Sequence, residues 1–171
     1  MSDYEDFDLD EDVSEVSDII SFSNPPAGKH VYGIVFAGID KLGKDESSSK
    51  GVRILYQHVN TIQKANADDM DCAVGSIFSE QFMGGEIGKK WLKKRLKDMF
   101  GEVTGSFGPY IRQLNEKKMS EYMLEMTTTI AKSKKEGVEY ENVRIQDIKM
   151  ISPLPLPEGY EIFEYEPSTS D

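Results

Sequence analysis

Apolar and polar residues alternate most regularly between residues 122 and 151, in two runs joined by the polar connection 132–137. In the second run Val143 and Ile145 alternate with polar residues, and in the first run one side carries Leu124, Met126, Thr128 and Ile130. A period of two is typical of a strand with one buried face, and Gly137 can supply the turn between two such strands. We therefore expect a long β-hairpin with lysines at its tip and one solvated face, a shape that can bind a polyanion.

Upstream of the hairpin, the pattern predicts three more strands and one helix. The strands are expected over residues 29–39, 51–60 and 75–82, which are rich in β-branched and aromatic residues. Residues 86–100 carry apolar residues at helical spacing, and Gly101 is suited to end that helix. The apolar stripe of the helix consists of Leu92, Leu96, Met99 and Phe100.

The predicted elements follow the order of a small β-barrel. Residues 41–50 and 102–120 are expected to be connections, so three strands precede the helix and two follow it. A helix between the third and fourth strands of a five-stranded antiparallel sheet is the plan of the OB-fold, and the helix covers one end of the barrel. The predicted fold class is therefore mainly β, a five-stranded OB-fold barrel with one helix.

Acidic residues are concentrated at the two ends of the chain. Residues 1–23 contain nine acidic residues and residues 153–171 contain five, with no Lys or Arg in either segment. Residues 24–152 contain 17 acidic residues against all 20 Lys and Arg, so this segment is net positive although the formal charge of the chain is −11. We expect a disordered acidic tail over 1–23, an OB-fold domain over 24–152 and an acidic, aromatic tail over 153–171. A local excess of positive charge can attract a polyanion even in an acidic protein.

Few residues suit catalysis or metal binding. The single Cys72 and the two histidines, His30 and His58, are little material for a zinc site or for Cys–His catalysis. Residues 84–90 resemble a phosphate-binding loop but have one residue too few between the glycines and no Ser or Thr after the lysine. The acidic cluster at 68–71 lacks the ligand spacing of a calcium loop. We therefore expect a protein without enzymatic activity, cofactor or metal.

The stretch from Pro26 to Ile151 resembles a family of phage-encoded single-stranded-DNA-binding proteins of replication and recombination modules. The shared features are Pro-Ala-Gly-Lys-His at 26–30, Lys-Gly at 50–51 and the Lys-rich helix that ends at Gly101. The segment Gly-Val-Glu-Tyr-Glu-Asn-Val at 137–143 is similar to the family's Gly-x-Glu-Tyr-Asn-x-Ile pattern. The resemblance implies an OB-fold and a role in coating single-stranded DNA. The sequence has no signal peptide and no apolar run that could span a bilayer, so the expected location is the cytoplasm of the infected host cell, without membrane contact.

Single-strand binding requires a cationic groove for phosphates and exposed aromatic faces for bases. In OB-folds the ligand crosses strands 2 and 3, between the loops that join strands 1–2 and 4–5. The predicted DNA contacts in these regions are Lys41, Lys44, Lys50, Arg53, Tyr56, Lys132, Lys134, Lys135, Tyr140 and Arg144. Tyr140 is the preferred stacking residue, because it follows the basic turn and has a polar tip; His58 and Phe78 are further candidates.

Each of these residue types also has an ordinary structural use. Lysines collect on solvated turns, and one side of each strand must fill the barrel, so a single aromatic residue is more often core than platform. Trp91 flanks the helix stripe and is expected to pack. The lysines of the helix leave three alternatives open, namely a solvated face, contact with DNA or contact with the acidic tails. These lysines are Lys89, Lys90, Lys93, Lys94 and Lys97.

These observations lead to one expected function and one rival. We expect sequence-independent binding of single-stranded DNA in phage replication or recombination. The acidic tails would compete with DNA for the basic groove and recruit phage or host replication and recombination proteins. The rival is an acidic protein-interaction module, or a DNA mimic, that does not itself bind nucleic acid. A homodimer and a preference for RNA are left open.

Overall fold

The computed structural model describes residues 10, 22–42, 50–116, 119 and 121–167. The chain forms one five-stranded antiparallel sheet and two helices, with the strand order β3-β2-β1-β4-β5. The elements in chain order are β1 (Gly28–Lys41), β2 (Lys50–Lys64), β3 (Ile77–Met83), α1 (Glu86–Phe100), α2 (Gly108–Glu116), β4 (Met123–Lys135) and β5 (Val138–Ile151). Neither helix is long and apolar enough to cross a membrane.

The periodicity predicted all five strands and the helix α1. The predicted helix has the observed bounds, and it ends at Gly101, whose φ is 87° and whose backbone N–H donates to Lys97 O at 2.8 Å. The predicted connection 102–120 was wrong in part, because it contains the helix α2. Gly105, Gly108 and Pro109 concealed this helix, since glycine and proline are more typical of turns than of helices.

The prediction of a barrel was also wrong, because the sheet is not closed in the part of the chain that the structure describes. The outer strand β5 pairs only with β4, and β3 pairs with β2 and, through a single parallel bridge, with Phe22 at its first residue, Ile77. The free edges of β3 and β5 therefore border an open cleft, and α1 contacts both of these strands.

The inner face of the sheet carries the main core. Side chains from every strand meet the apolar stripe of α1, in which Leu92, Leu96 and Met99 are buried as predicted. Helix α2 adds Leu114 to this core. The strand residues buried here are Tyr32, Ile34, Ala37, Ile54, Tyr56, Phe78, Phe82, Leu124, Met126 and Ile148.

The outer face of the sheet is apolar as well. The register of β1 against β2 shifts between Ile34 and Phe36, so Ile34 points to the inner core while Phe36 joins Leu55 and Ile77 on the outer face. A bulge of this kind inserts one extra residue and re-aims the side chains that follow it. A second outer cluster contains Val31, Val59, Met119 and Met123. Both faces of β1 and β2 therefore need a cover.

A buried ion pair fixes α1 on β3. Arg95 is almost fully buried, and its Nε and Nη2 donate to both carboxylate oxygens of Glu80 at 2.8–3.1 Å. The hydroxyl of Tyr56 donates to Glu80 Oε1 at 2.6 Å, so the pair also reaches β2. Gly88 allows the first turn of the helix to lie against β3, because a Cβ at this position would overlap the backbone of Met83.

Two histidines share one hydroxyl, that of Thr61, where the start of β1 pairs with the end of β2. Nε2 of His30 lies 2.9 Å from Pro26 O, which can only accept, so Nδ1 of His30 accepts from Thr61 Oγ1 at 3.0 Å. Nε2 of His58 then donates to the same Thr61 oxygen at 3.0 Å. Nδ1 of His58 has no hydrogen-bond partner among the described residues. Burial lowers the pKa of both rings, and burial together with His30 lowers the pKa of His58 to about 4.

This histidine pair predicts a loss of stability in mild acid. Because the pKa of His58 is about 4 in the folded chain, against an ordinary value of 6.5 for histidine, only the unfolded chain takes up a proton between these values. The free energy of unfolding should therefore be insensitive to His58 above about pH 6.5 and fall towards pH 4, by at most about 1.4 kcal/mol per pH unit for one histidine. Urea unfolding at pH 7.5 and pH 5 should show a smaller loss for His58→Gln than for the unaltered chain. An equal loss of stability in the variant and in the unaltered chain would show that His58 does not cause the pH dependence.

Candidate nucleic-acid interface

The β4–β5 hairpin extends beyond the rest of the sheet. Strand β1 pairs with β4 only from Leu124 to Thr128, so residues 129–144 form a two-stranded arm, with no third strand beside it in the described part of the chain. The turn at its tip consists of Glu136 (φ 54°) and Gly137 (φ 79°), the positive φ pair of a tight hairpin turn. The predicted hairpin and its turn are therefore confirmed.

The cross-strand pairs of the arm define two faces with different charge. One face carries Lys132 and Lys134 beside Glu139 and Glu141, and Lys132 Nζ lies 3.9 Å from Glu141 Oε1 and 4.0 Å from Glu139 Oε1. The charges of this face are balanced, which lowers its value for binding phosphates.

The opposite face, which we call the arm face, is basic and aromatic. Successive side chains of a strand point to opposite sides, so Tyr140, Asn142 and Arg144 share this face of β5, and the cross-strand register adds Lys135 of β4. Nδ2 of Asn142 reaches Ser133 Oγ of β4 on the same face at 3.5 Å. Tyr140 is 49% exposed, and neither Lys135 nor Arg144 makes an ion pair with another described residue.

The arm face continues into the open cleft between β3 and β5. The cleft has a volume of about 730 Å³ and is lined by residues 142–146 of β5, residues 78–81 of β3, and Trp91 and Arg95 of α1. Among the described residues that line the cleft, Glu80 is the one carboxylate, and Arg95 neutralises it through the buried ion pair. Arg144 therefore leaves the cleft with a net positive charge.

Trp91 is placed differently from the prediction. Its position beside the apolar stripe predicted packing, but its side chain is 59% exposed at the mouth of the cleft, beside the free edge of β3. An exposed indole is a suitable platform for a nucleobase, and stacking contributes about 1–3 kcal/mol per base. The helical wheel alone does not decide its exposure, because Trp91 lies at the border of the apolar stripe, one turn after the exposed Ile87 and one turn before the buried Arg95.

Three of the predicted aromatic platforms are buried. Tyr56 is fully buried in the inner core and donates to Glu80, and this burial raises the pKa of its phenol well above the usual range. His58 belongs to the histidine pair, and Phe78 is 7% exposed. Tyr56 was predicted to contact DNA, but it offers no exposed ring to a base, because its side of β2 faces the inner core.

The basic residues predicted near the β1–β2 connection are divided. Arg53 is held inside the fold, because its Nε donates to the buried Asp40 at 2.7 Å and its Nη2 donates to Lys41 O at 3.1 Å. It is therefore a structural cation rather than a free phosphate contact. Lys41 and Lys50 form a cross-strand pair at the end of the sheet, and Lys50 is exposed. Lys44 lies outside the described residues.

The chain's own C-terminal segment covers the outer face of β1 and β2. Tyr160 packs against the Val31 cluster, and Phe163 and Tyr165 pack against the Phe36 cluster. Gln57 holds the segment by its backbone: its Nε2 donates to Glu161 O at 2.8 Å, and its Oε1 accepts from Phe163 N at 2.9 Å. The face of β2 on which an OB-fold ligand was expected is therefore occupied by residues 160–165.

Neither the comparisons with known proteins nor the arrangement of metal-binding side chains adds an assignment. The chain matches no protein-family model, no curated protein and no solved structure. Within the described ranges, no three His, Cys, Asp or Glu side chains are grouped so as to hold a metal ion.

The packing of the C-terminal segment predicts a contrast between two neighbouring residues. Phe163→Ser should lower the free energy of unfolding by about 1.5–3 kcal/mol, because it removes a large apolar side chain from the outer face. Ile162→Ser is the matched control, since Ile162 is 45% exposed, and it should change stability by less than about 0.5 kcal/mol. Urea unfolding measures both values. Equal effects would show that residues 160–165 do not pack in this way.

Proposed function

We propose that this protein binds single-stranded DNA without sequence preference, through the arm face and the open cleft. The observation that carries the proposal is the continuity of these two surfaces along β5: Tyr140 and Arg144 lie on the arm, and Arg144 also lines the cleft that exposes Trp91. Cations and aromatic faces thus alternate along one path, which is the combination that single-strand binding requires.

The architecture of the sheet resembles an OB-fold, and this resemblance supports the proposed binding of single-stranded DNA. An OB-fold is a five-stranded, partly open Greek-key barrel. The observed sheet has five antiparallel strands, with helices between β3 and β4, and its two outer strands border a cleft. We propose that the sheet is an OB-fold opened between β3 and β5, and that the bound DNA strand runs along this opening.

The covered outer face supports this position of the DNA-binding surface. Residues 160–165 occupy the outer side of β1 and β2 and bring Glu161 and Glu164 to that side, where they would repel phosphates. The arm face lies on the edge strand β5, and the cleft lies between β5 and the free edge of β3. Phosphates would contact Lys135 and Arg144, and bases would stack on Tyr140 and Trp91.

The wider role follows the family resemblance. A protein of this kind would coat single-stranded DNA during phage replication or recombination, without enzymatic activity. The acidic residues at the two ends of the chain would keep bound strands away from other faces and offer contacts to basic surfaces of replication proteins. Release of bound salt ions should make the affinity strongly dependent on ionic strength.

Fluorescence anisotropy with labelled oligo-dT and a matched duplex, measured over a salt series, tests the proposal. We expect tighter binding of oligo-dT than of duplex and an affinity that falls steeply with salt. Tyr140→Ala and Trp91→Ala should each weaken oligo-dT binding about fivefold to a hundredfold, in line with about 1–3 kcal/mol per stacked base. Lys135→Gln with Arg144→Gln should reduce the salt slope by about one to two, because two phosphate contacts are lost.

The control variants are Lys93→Gln and Lys97→Gln, which remove two exposed lysines from the solvent side of α1. They should leave the affinity for oligo-dT within about twofold of that of the unaltered chain if α1 contributes to binding only through Trp91. Absence of oligo-dT binding at low salt by the full chain would overturn the proposal, and the protein-interaction alternative would then lead. Equal losses in the arm and helix variants would show binding by overall charge and would reject the arm face as the site.

A further inference from the structure

A second cavity lies at the end of the sheet, away from the arm. It has a volume of about 490 Å³ and opens between the last residues of β3, the paired ends of β1 and β2, and the two helices. This volume is typical of pockets for small organic ligands. Its apolar lining consists mainly of Ala37, Ile39, Val52, Phe82, Leu92, Phe107 and Ile111.

The charges that the described residues bring to this cavity are all positive. Lys50 comes from β2, Lys89 from α1 and Arg112 from α2, and no carboxylate lines the cavity among the described residues. None of the three makes an ion pair with another residue in the described ranges. In a chain with a formal charge of −11, three cations without an ion-pair partner among the described residues are an unusual concentration of positive charge around one cavity. Such a cavity favours an anion with an apolar part.

The walls of the cavity suggest the shape of the apolar part. Two aromatic side chains, Phe82 and Phe107, line it together with aliphatic residues. Asn115 contributes an amide whose Oδ1 accepts from Ala37 N at 3.2 Å, while its Nδ2 group has no hydrogen-bond partner among the described residues. Aromatic walls and a free amide donor suit a flat ring with hydrogen-bond acceptors at its edge, such as a nucleobase.

We infer that this cavity binds a nucleotide, with the base against Phe82 and Phe107 and the phosphate between Lys50, Lys89 and Arg112. The ligand is either a free mononucleotide or the phosphorylated terminal nucleotide of a strand, since both present the same base and phosphate. An acidic, aromatic peptide would share the charge and the apolar character. Such a peptide would offer the Asn115 amide no ring with hydrogen-bond acceptors at its edge, so the nucleotide is the better fit. This site does not involve the arm face.

Calorimetric titration of the full chain with thymidine 5′-monophosphate tests the site. We expect saturable binding, and at least tenfold weaker binding of thymidine and of inorganic phosphate, because each lacks one half of the ligand. Arg112→Gln and Lys50→Gln should each weaken binding of the monophosphate at least tenfold. The matched control, Lys93→Gln with Lys97→Gln, removes two exposed lysines of α1 outside the cavity and should have no effect. Amide signals of Val52, Leu92 and Ile111 should shift on titration in nuclear magnetic resonance spectra.

The source of the nucleotide is distinguished by three oligo-dT probes: 5′-phosphorylated, 5′-hydroxyl and circular. Tighter binding of the phosphorylated linear strand, lost in Arg112→Gln, assigns the strand end. Equal binding of all three, with retained binding of the monophosphate, assigns the free nucleotide.

The inference is overturned if the monophosphate does not bind, if Arg112→Gln and Lys50→Gln bind it as well as the unaltered chain, or if only an acidic, aromatic peptide binds. Tyr140→Ala should weaken oligo-dT binding without changing the affinity for the monophosphate. A result against the nucleotide cavity can therefore be distinguished from a result against DNA binding on the arm face and the cleft.

Discussion

The ion pair between Arg95 and Glu80 is the contact on which the arrangement of the two surfaces depends. It fixes α1 against the edge of β3, and through Tyr56 it joins the helix to β2. Loss of one partner would leave a buried charge uncompensated, which typically costs about 3–5 kcal/mol. The same pair removes the negative charge of Glu80 from the cleft and holds Trp91, one turn before Arg95, at its mouth. Stability and the electrostatics of the cleft are thus set by one interaction.

Charge is sorted by surface in this protein rather than spread evenly. Within the arm, the side that carries Lys132 is neutralised by two glutamates, while the side that carries Tyr140 and Arg144 is not. The alternation of a strand makes this separation possible, because neighbours along β5 face opposite ways. An acidic protein can therefore carry a narrow basic surface along one side of a strand. The net charge of the chain does not indicate which ligand that surface binds.

Most of the fold could be predicted from the sequence, and less of the candidate site. The strands and α1 follow from local periodicity, so Leu96 and Met126 were placed correctly in the core. Strand orientation was harder, because both faces of β2 are apolar and no local signal tells Tyr56 inside from Leu55 outside. The role of Gln57 in holding the C-terminal segment is a contact across more than a hundred residues, which no local pattern encodes.

The docking of residues 160–165 has a consequence for how the chain is made. Synthesis runs from the N-terminus, at about 5–20 residues per second, and domains tend to fold as they emerge. The strands that carry Phe36 and Leu55 are complete some hundred residues before Phe163 is added. A nascent chain therefore displays an uncovered apolar sheet surface for seconds, which a chaperone could shield until the segment arrives. Premature termination after β5 would leave that surface permanently open to aggregation.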